Sequence, residues 1–126
     1  MNINHACKAA HAAATSDGKF RVGACLVNGR YVIKLGVNND RTHPRMQRFN
    51  PDKSYAPGLH AEVDACMGIP DDVLEGSEIY VVRLTKTDKW AMAKPCEICQ
   101  KFLADAGIRR VYYSNENGEM ESLWNS

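Results

Sequence analysis

The stretch AKPCEICQKF, Ala93 to Phe102, sets two cysteines three residues apart, just behind a proline. Proline suits the first turn of a helix and Gly107 suits its C-terminal cap, so the pattern predicts a helix over 95–106. At i and i+3 the thiols of Cys96 and Cys99 share one face. They sit in the first turn, where unpaired amides and the helix dipole favour thiolates. This geometry suits two bonds to one zinc ion, at about 2.3 Å each. It suits a redox dithiol as well, and the spacing alone does not choose between them.

The rest of the chain narrows the choice. Its 126 residues predict one domain, 1–126, with 44% apolar and 25% charged residues, as in an ordinary globular protein. Five cysteines are an odd number, and MNINHACKAAHAAATSDGKF holds no long apolar run. These features argue against a secretory signal and against a membrane partner, and favour a reducing, cytoplasmic setting. Paired thiols then point to metal or redox chemistry before a structural disulfide. A net charge of +1 gives no support to strong non-specific nucleic-acid binding.

A second motif shifts the weight toward metal. LHAEVDA, Leu59 to Ala65, offers the imidazole of His60 at the start of another short helix. With Cys96 and Cys99 it makes a His-Cys-Cys shell for Zn2+ with an open fourth position, the catalytic rather than the structural pattern. Cys7, Cys25 and Cys66 are isolated and read as small buried apolar residues. His5, His11 and His43 read as surface or capping residues. Glu62 is then the catalytic candidate, since an activated water needs a neighbour to take and pass on its proton. On a regular helix i and i+2 point about 200° apart. His60 and Glu62 can therefore face one site only if His60 lies at the helix edge, which Gly58 upstream allows. Asp64 is expected only to complement the helix dipole.

The remaining elements follow from pattern. HACKAAHAAA, 5–14, is an alanine-rich helix. FRVGACLV and RYVIKLGV flank Asn28-Gly29, which supplies two positive-φ turn positions, and predict a hairpin. SEIYVVRLT is rich in β-branched residues and predicts a central strand. RRVYYS, NENG and EMESLW predict a terminal antiparallel hairpin. The fold class is α/β: a single mixed sheet of about five strands flanked by helices.

The pair HAE and PCEIC resembles the cytidine deaminase superfamily, whose signature is H-x-E followed by P-C-x-x-C. The order helix, hairpin, HAE helix, strand, PCxxC helix, strand is similar over most of the chain. The resemblance implies hydrolytic removal of the exocyclic amine of a base, with His60, Cys96 and Cys99 as zinc ligands and Glu62 as proton shuttle. It implies that the Ala61 amide binds the base's carbonyl oxygen. LGVNN is similar to the family's G-x-N, which implies a sugar contact for Asn38; a turn-forming role competes for the same residue. The terminal hairpin is closer to free-cytidine deaminases and some bacterial toxin deaminases. Free-cytidine deaminases, however, commonly have cysteine where His60 stands.

The run 39–58 leads directly toward His60 and carries Arg41, Arg45 and Arg48, interleaved with Phe49 and Tyr55. Arginine pairs its N–H donors with phosphate, and aromatic rings stack on bases. These residues are expected to read a phosphate and a base, unless the run is an ordinary solvated loop. Trp90 is a candidate base-stacking wall, with core packing as its rival. The leading expectation is a zinc-dependent deaminase of cytosine in a small-molecule nucleoside or nucleotide such as deoxycytidylate; an oligomer is compatible with it. The same chemistry on single-stranded DNA or RNA is the alternative. A non-catalytic zinc-stabilised binding module would not require Glu62, and a thioredoxin-like redox protein would not require His60.

Overall fold

The computed structural model describes residues 1–16, 21–38 and 60–124. Its elements in chain order are α1 (Ile3–Ala14), β1 (Arg21–Asn28), β2 (Tyr31–Val37), α2 (Ala61–Cys66), α3 (Asp71–Leu74), β3 (Glu78–Leu84), β4 (Trp90–Ala91), α4 (Glu97–Asp105), β5 (Arg110–Ser114) and β6 (Met120–Leu123). One sheet runs β2-β1-β3-β5-β6. All its pairs are antiparallel except β3 with β5. The expected mixed sheet, central β3 and terminal hairpin are therefore present. The sixth strand is β4, two residues that pair with Arg83 and Leu84 of β3.

Strand alternation sorts the core into two layers. Ala24, Leu26, Ile79, Val81, Val111 and Tyr113 face α2, α3 and α4, meeting Val63, Leu74, Phe102 and Leu103. Cys25, Val27, Tyr80, Val82 and Tyr112 face α1. On that side Ala6, Ala9 and Ala13 form a stripe of small residues. The stripe lets α1 lie almost on the strand: a methyl at Gly23 would collide with the Ala9 carbonyl and the Ala13 amide. Gly23→Ala is therefore expected to destabilise the protein by about 1–3 kcal/mol in urea denaturation while leaving metal content unchanged, because α1 must lift off the sheet.

Local details differ from expectation where long-range contacts intervene. In the first hairpin Asn28 pairs with Tyr31, so the loop is Gly29-Arg30 and only Gly29 has positive φ, at 63°. Asn28 stays in the strand because its side-chain amide donates to the Val73 carbonyl and to Ser77 Oγ. Among the isolated cysteines, Cys25 and Cys66 are buried as expected, whereas Cys7 is exposed. His5 is not a surface residue: it is 9% exposed and packs against the Tyr80 ring, which stacks on Tyr112. Among the described residues no helix is long and apolar enough to cross a membrane.

Candidate metal and catalytic centre

α2 and α4 begin side by side against the same sheet face, and the three expected ligands lie at those beginnings. His60 is the N-cap of α2, with extended backbone at φ −72°, ψ 155°. It precedes regular helix, which removes the conflict between i and i+2: Glu62 turns inward on α2 while His60 approaches from the cap. Gly58, invoked for this geometry, lies outside the described residues. Cys96 is likewise an N-cap, at φ −65°, ψ 165°, rather than a first-turn residue of α4. Its sulfur accepts the Cys99 amide at 3.5 Å, so the cysteine pair caps its own helix.

The approach to Cys96 is held from outside the helix. Ser114, buried at the end of β5, donates its hydroxyl to the Ala91 carbonyl at 2.6 Å, and its own carbonyl accepts the Ala93 amide at 2.9 Å. Gln100 donates to the Pro95 carbonyl at 2.8 Å. These bonds fix the segment between β4 and α4 and with it the first sulfur.

The donor atoms of His60, Cys96 and Cys99 all lie within 4.8 Å of one another. His60 Nδ1 is 3.7 Å from Cys96 Sγ and 3.0 Å from Cys99 Sγ. Ligands on a tetrahedral zinc with bonds of about 2.0–2.3 Å stand about 3.6 Å apart. The first distance is that edge; the second is the direct N···S contact a metal would spread. The three residues fit a metal ion, and among the described residues no fourth donor joins them. The spacing question is thus decided by the imidazole, which a redox dithiol does not need.

The electrostatics agree. The hydrogen bond from the Cys99 thiol, aided by His60 and the Cys99 amide, holds Cys96 far below the ordinary thiol range. Cys99 is pushed strongly upward by that same bond to Cys96, by burial and by the neighbouring Glu62 charge. A divalent ion would favour both thiolates.

Glu62 is 4% exposed and lies beside Cys99. Burial raises its carboxyl above the ordinary value, while the His60 charge pulls the other way. A buried carboxyl at the edge of a ligand cluster binds its proton more tightly than a solvated one.

The other expected site residues divide. Ala61 opens α2 next to His60 and is buried, and no side chain caps that helix start. Asn38 lies at the end of β2. Its Oδ1 accepts the Val22 amide at 3.1 Å and the Ser16 hydroxyl at 3.0 Å, which commits that oxygen to strand-end structure. Trp90 pairs with Leu84 and packs against the core cluster on the α1 side of the sheet, so the structure does not bring it to the metal cluster. Arg41, Arg45 and Arg48, with Phe49, Tyr55 and His43, lie outside the described residues. Asp64 has a role that dipole reasoning missed. Its Oδ2 accepts the Val37 amide at 3.0 Å. Lys34, to which the sequence assigned no role, donates from its Nζ to the Asp64 and Met67 carbonyls.

Residues 2–115 match the family model for the cytidine and deoxycytidylate deaminase zinc-binding region. Among solved structures, the chain is similar to the deoxycytidylate deaminase of cyanophage S-TIM5 in its apo form. The two are 25% identical with a TM-score of 0.64, covering 90% of this chain and 82% of that one. The same phage enzyme in complex with dCMP and dUMP gives a TM-score of 0.65 at 25% identity, covering 90% and 80%. The cytidine deaminase of Mycobacterium leprae is 20% identical with a TM-score of 0.58, covering 95% and 91%, a likeness of fold. No curated protein matches. With the family model spanning most of the chain, and its zinc-binding motifs brought together at the heads of α2 and α4, the protein belongs to the cytidine and deoxycytidylate deaminase family.

Proposed function

We propose that this protein is a zinc-dependent hydrolytic deaminase that converts cytosine to uracil on a free nucleotide, with deoxycytidylate as the leading substrate. The observation that carries the reading is a buried Glu62 beside a His-Cys-Cys cluster. The similarity to an enzyme crystallised with dCMP and dUMP favours a nucleotide over other cytosine compounds.

His60, Cys96 and Cys99 would hold the zinc, and Glu62 would move protons. Zinc, when bound, lowers the pKa of a coordinated water to about 7 and so supplies a nucleophile at neutral pH. Glu62 takes a proton from the attacking water and gives it to ring N3 as the hydroxyl adds at C4. It then carries the second proton to the exocyclic nitrogen. The C4–N4 bond breaks, ammonia leaves, and the ring carbonyl of uracil forms. Burial suits Glu62 to this relay, because a raised carboxyl pKa narrows the gap to its proton partners. The Ala61 amide at the head of α2 is the donor for the base's carbonyl oxygen. Asn38 is the sugar contact, through atoms other than the oxygen it spends on Val22 and Ser16.

The test is direct. Zinc-loaded protein is incubated with deoxycytidylate, cytidine, adenosine and a single-stranded cytosine oligonucleotide, and ammonia and uracil are measured. Deoxycytidylate is expected to turn over fastest. Release from the oligonucleotide alone would replace the nucleotide reading with the polymer one, and no release from any substrate would overturn both.

The arginines of 39–58 supply a further expectation. With Arg41, Arg45 and Arg48 all changed to Gln, KM for deoxycytidylate should rise about tenfold or more, while turnover of unphosphorylated deoxycytidine changes little. The parent's KM for the phosphorylated substrate should also rise with salt, as screening weakens exposed charge contacts. Equal effects on both substrates would remove the phosphate role from these residues.

A further inference from the structure

α2 has six residues, under two turns, yet it carries Ala61 and Glu62 and is capped by His60. A helix that short does not hold its own geometry in water. A proton-transferring group must stay within about 0.5 Å of its productive position. Something outside α2 must therefore hold it, and β2 does so at three points.

The first is contact. Gly36 lies directly under α2, where a methyl would collide with the Ala61 carbonyl and the Ala65 amide. The second is the far end of the helix. Lys34 Nζ donates to the Asp64 carbonyl at 2.8 Å and the Met67 carbonyl at 3.0 Å, binding the last turn with a charged donor. The third comes from the helix itself. Asp64 Oδ2 accepts the Val37 amide at 3.0 Å. The next amide, Asn38, is spent on the Val22 carbonyl in β1. By strand alternation Val37 N–H must point away from β1, off the edge that β2 forms among the described residues. Asp64 reaches over that edge to claim it. Because i and i+2 diverge by about 200° on a helix, the turn that aims Asp64 at the strand aims Glu62 away from it, toward Cys99.

We infer that Asp64 and Lys34 are positioning residues for the reaction: a two-point clamp by which the edge strand β2 fixes the rotation of α2 and so places Glu62 against the metal cluster. The link to catalysis rests on the deaminase reading above; the clamp itself does not.

The experiment compares the zinc-loaded parent with Asp64→Ala, Asp64→Asn and Lys34→Met. Three readouts are taken: amide exchange by NMR, the visible spectrum after cobalt substitution, and steady-state kinetics on deoxycytidylate. Asparagine keeps an acceptor oxygen for Val37, so Asp64→Asn should behave as the parent. Asp64→Ala should speed exchange of the Val37 amide and of the α2 amides by about tenfold or more. It should shift the cobalt bands at full metal content, and lower kcat on the order of tenfold or more with KM within about twofold. Lys34→Met should loosen the α2 amides in the same way, and it carries the test if Asp64→Ala does not fold. Parent-like exchange in both Asp64→Ala and Lys34→Met would overturn the clamp. Faster exchange with unchanged cobalt bands and unchanged kcat would overturn the positioning role and leave only a stabilising one. If the parent turns over no nucleotide, the function proposal fails, and the clamp is then decided by exchange and cobalt spectra alone.

Discussion

Glu62→Gln should retain zinc and the native fold and yet lose nearly all turnover, with kcat down by about 10³-fold or more. Glutamine fills the same volume beside Cys99 but cannot carry a proton from water to ring and then to amine. Proton relays of this kind contribute about 10²–10⁴-fold each, and here one group serves two transfers. Metal content, circular dichroism and single-turnover rates on deoxycytidylate check the expectation. Activity within a few-fold of the parent would strip Glu62 of its role.

The same variant has a stability signature of opposite sign. Burial raises the Glu62 carboxyl above its ordinary value of 4.5 in the folded protein. Below that value the group is protonated in both folded and unfolded chains and costs no ionisation energy. As pH rises through the interval up to the folded-state value, the unfolded chain gives up its proton first, and the folded state loses ground. Glu62→Gln removes that penalty. Metal-free Glu62→Gln should therefore be more stable than the metal-free parent at pH 8, with the gain shrinking toward pH 4 in urea denaturation. A gain that grows toward low pH would contradict the buried-carboxyl account. A side chain that lowers stability while being needed for turnover is what a catalytic group does and what a helix-dipole partner does not.

Much of this arrangement could be read from the residues because the signals were local. The alanine stripe of α1, the apolar runs flanking Asn28-Gly29, the β-branched run of β3 and the proline ahead of α4 each state their element within a few residues. The HAE and PCEIC motifs state theirs through donor chemistry. What could not be read was set by contacts distant in sequence. The strand β4 exists because Ser114 and the last residues of β3 bind Ala91 and its neighbours. Residues 90–91 have no strand pattern of their own. Asp71–Leu74 is a single turn behind Pro70, too short to show a period. Cys96 moved from first turn to N-cap because its sulfur serves as the capping acceptor, a role usually sought in Ser, Thr, Asn or Asp. Trp90 went to the α1 face because it stands opposite Leu84 in the β3–β4 pair, whose cluster lies on that side. Asp64 read as a partner of the helix dipole, and Lys34 carried no signal of its own. Only the packing of α2 across β2 reveals their partners. A charged residue placed i+2 from a catalytic one, on a helix beside an edge strand, is the clue that could have drawn attention to Asp64.

Cys99→Ser and Cys96→Ser should each lose most of the bound zinc, and the two should differ in what else fails. The purified parent should hold about one zinc per chain, since one three-donor cluster is present among the described residues. Replacing a thiolate by a hydroxyl removes a charged, soft ligand from a set of three. Two neutral or singly charged donors do not hold zinc at this coordination number against water or a chelator. Cys99 is fully buried in the core layer, between Val63, Phe102 and the sheet. Cys99→Ser therefore replaces a fully buried sulfur by a smaller, poorly packing hydroxyl, with a stability loss of about 1 kcal/mol even in the metal-free chain. Cys96 is half-buried, and its sulfur already acts as an N-cap acceptor for the Cys99 amide. Serine is among the preferred N-caps, so Cys96→Ser should keep or improve the metal-free stability of α4 while losing the metal. Zinc analysis after dialysis against a chelator, set beside urea denaturation of the metal-free proteins, separates the two effects. Equal destabilisation in both variants would contradict the capping geometry, and full zinc retention in both would dissolve the ligand assignment.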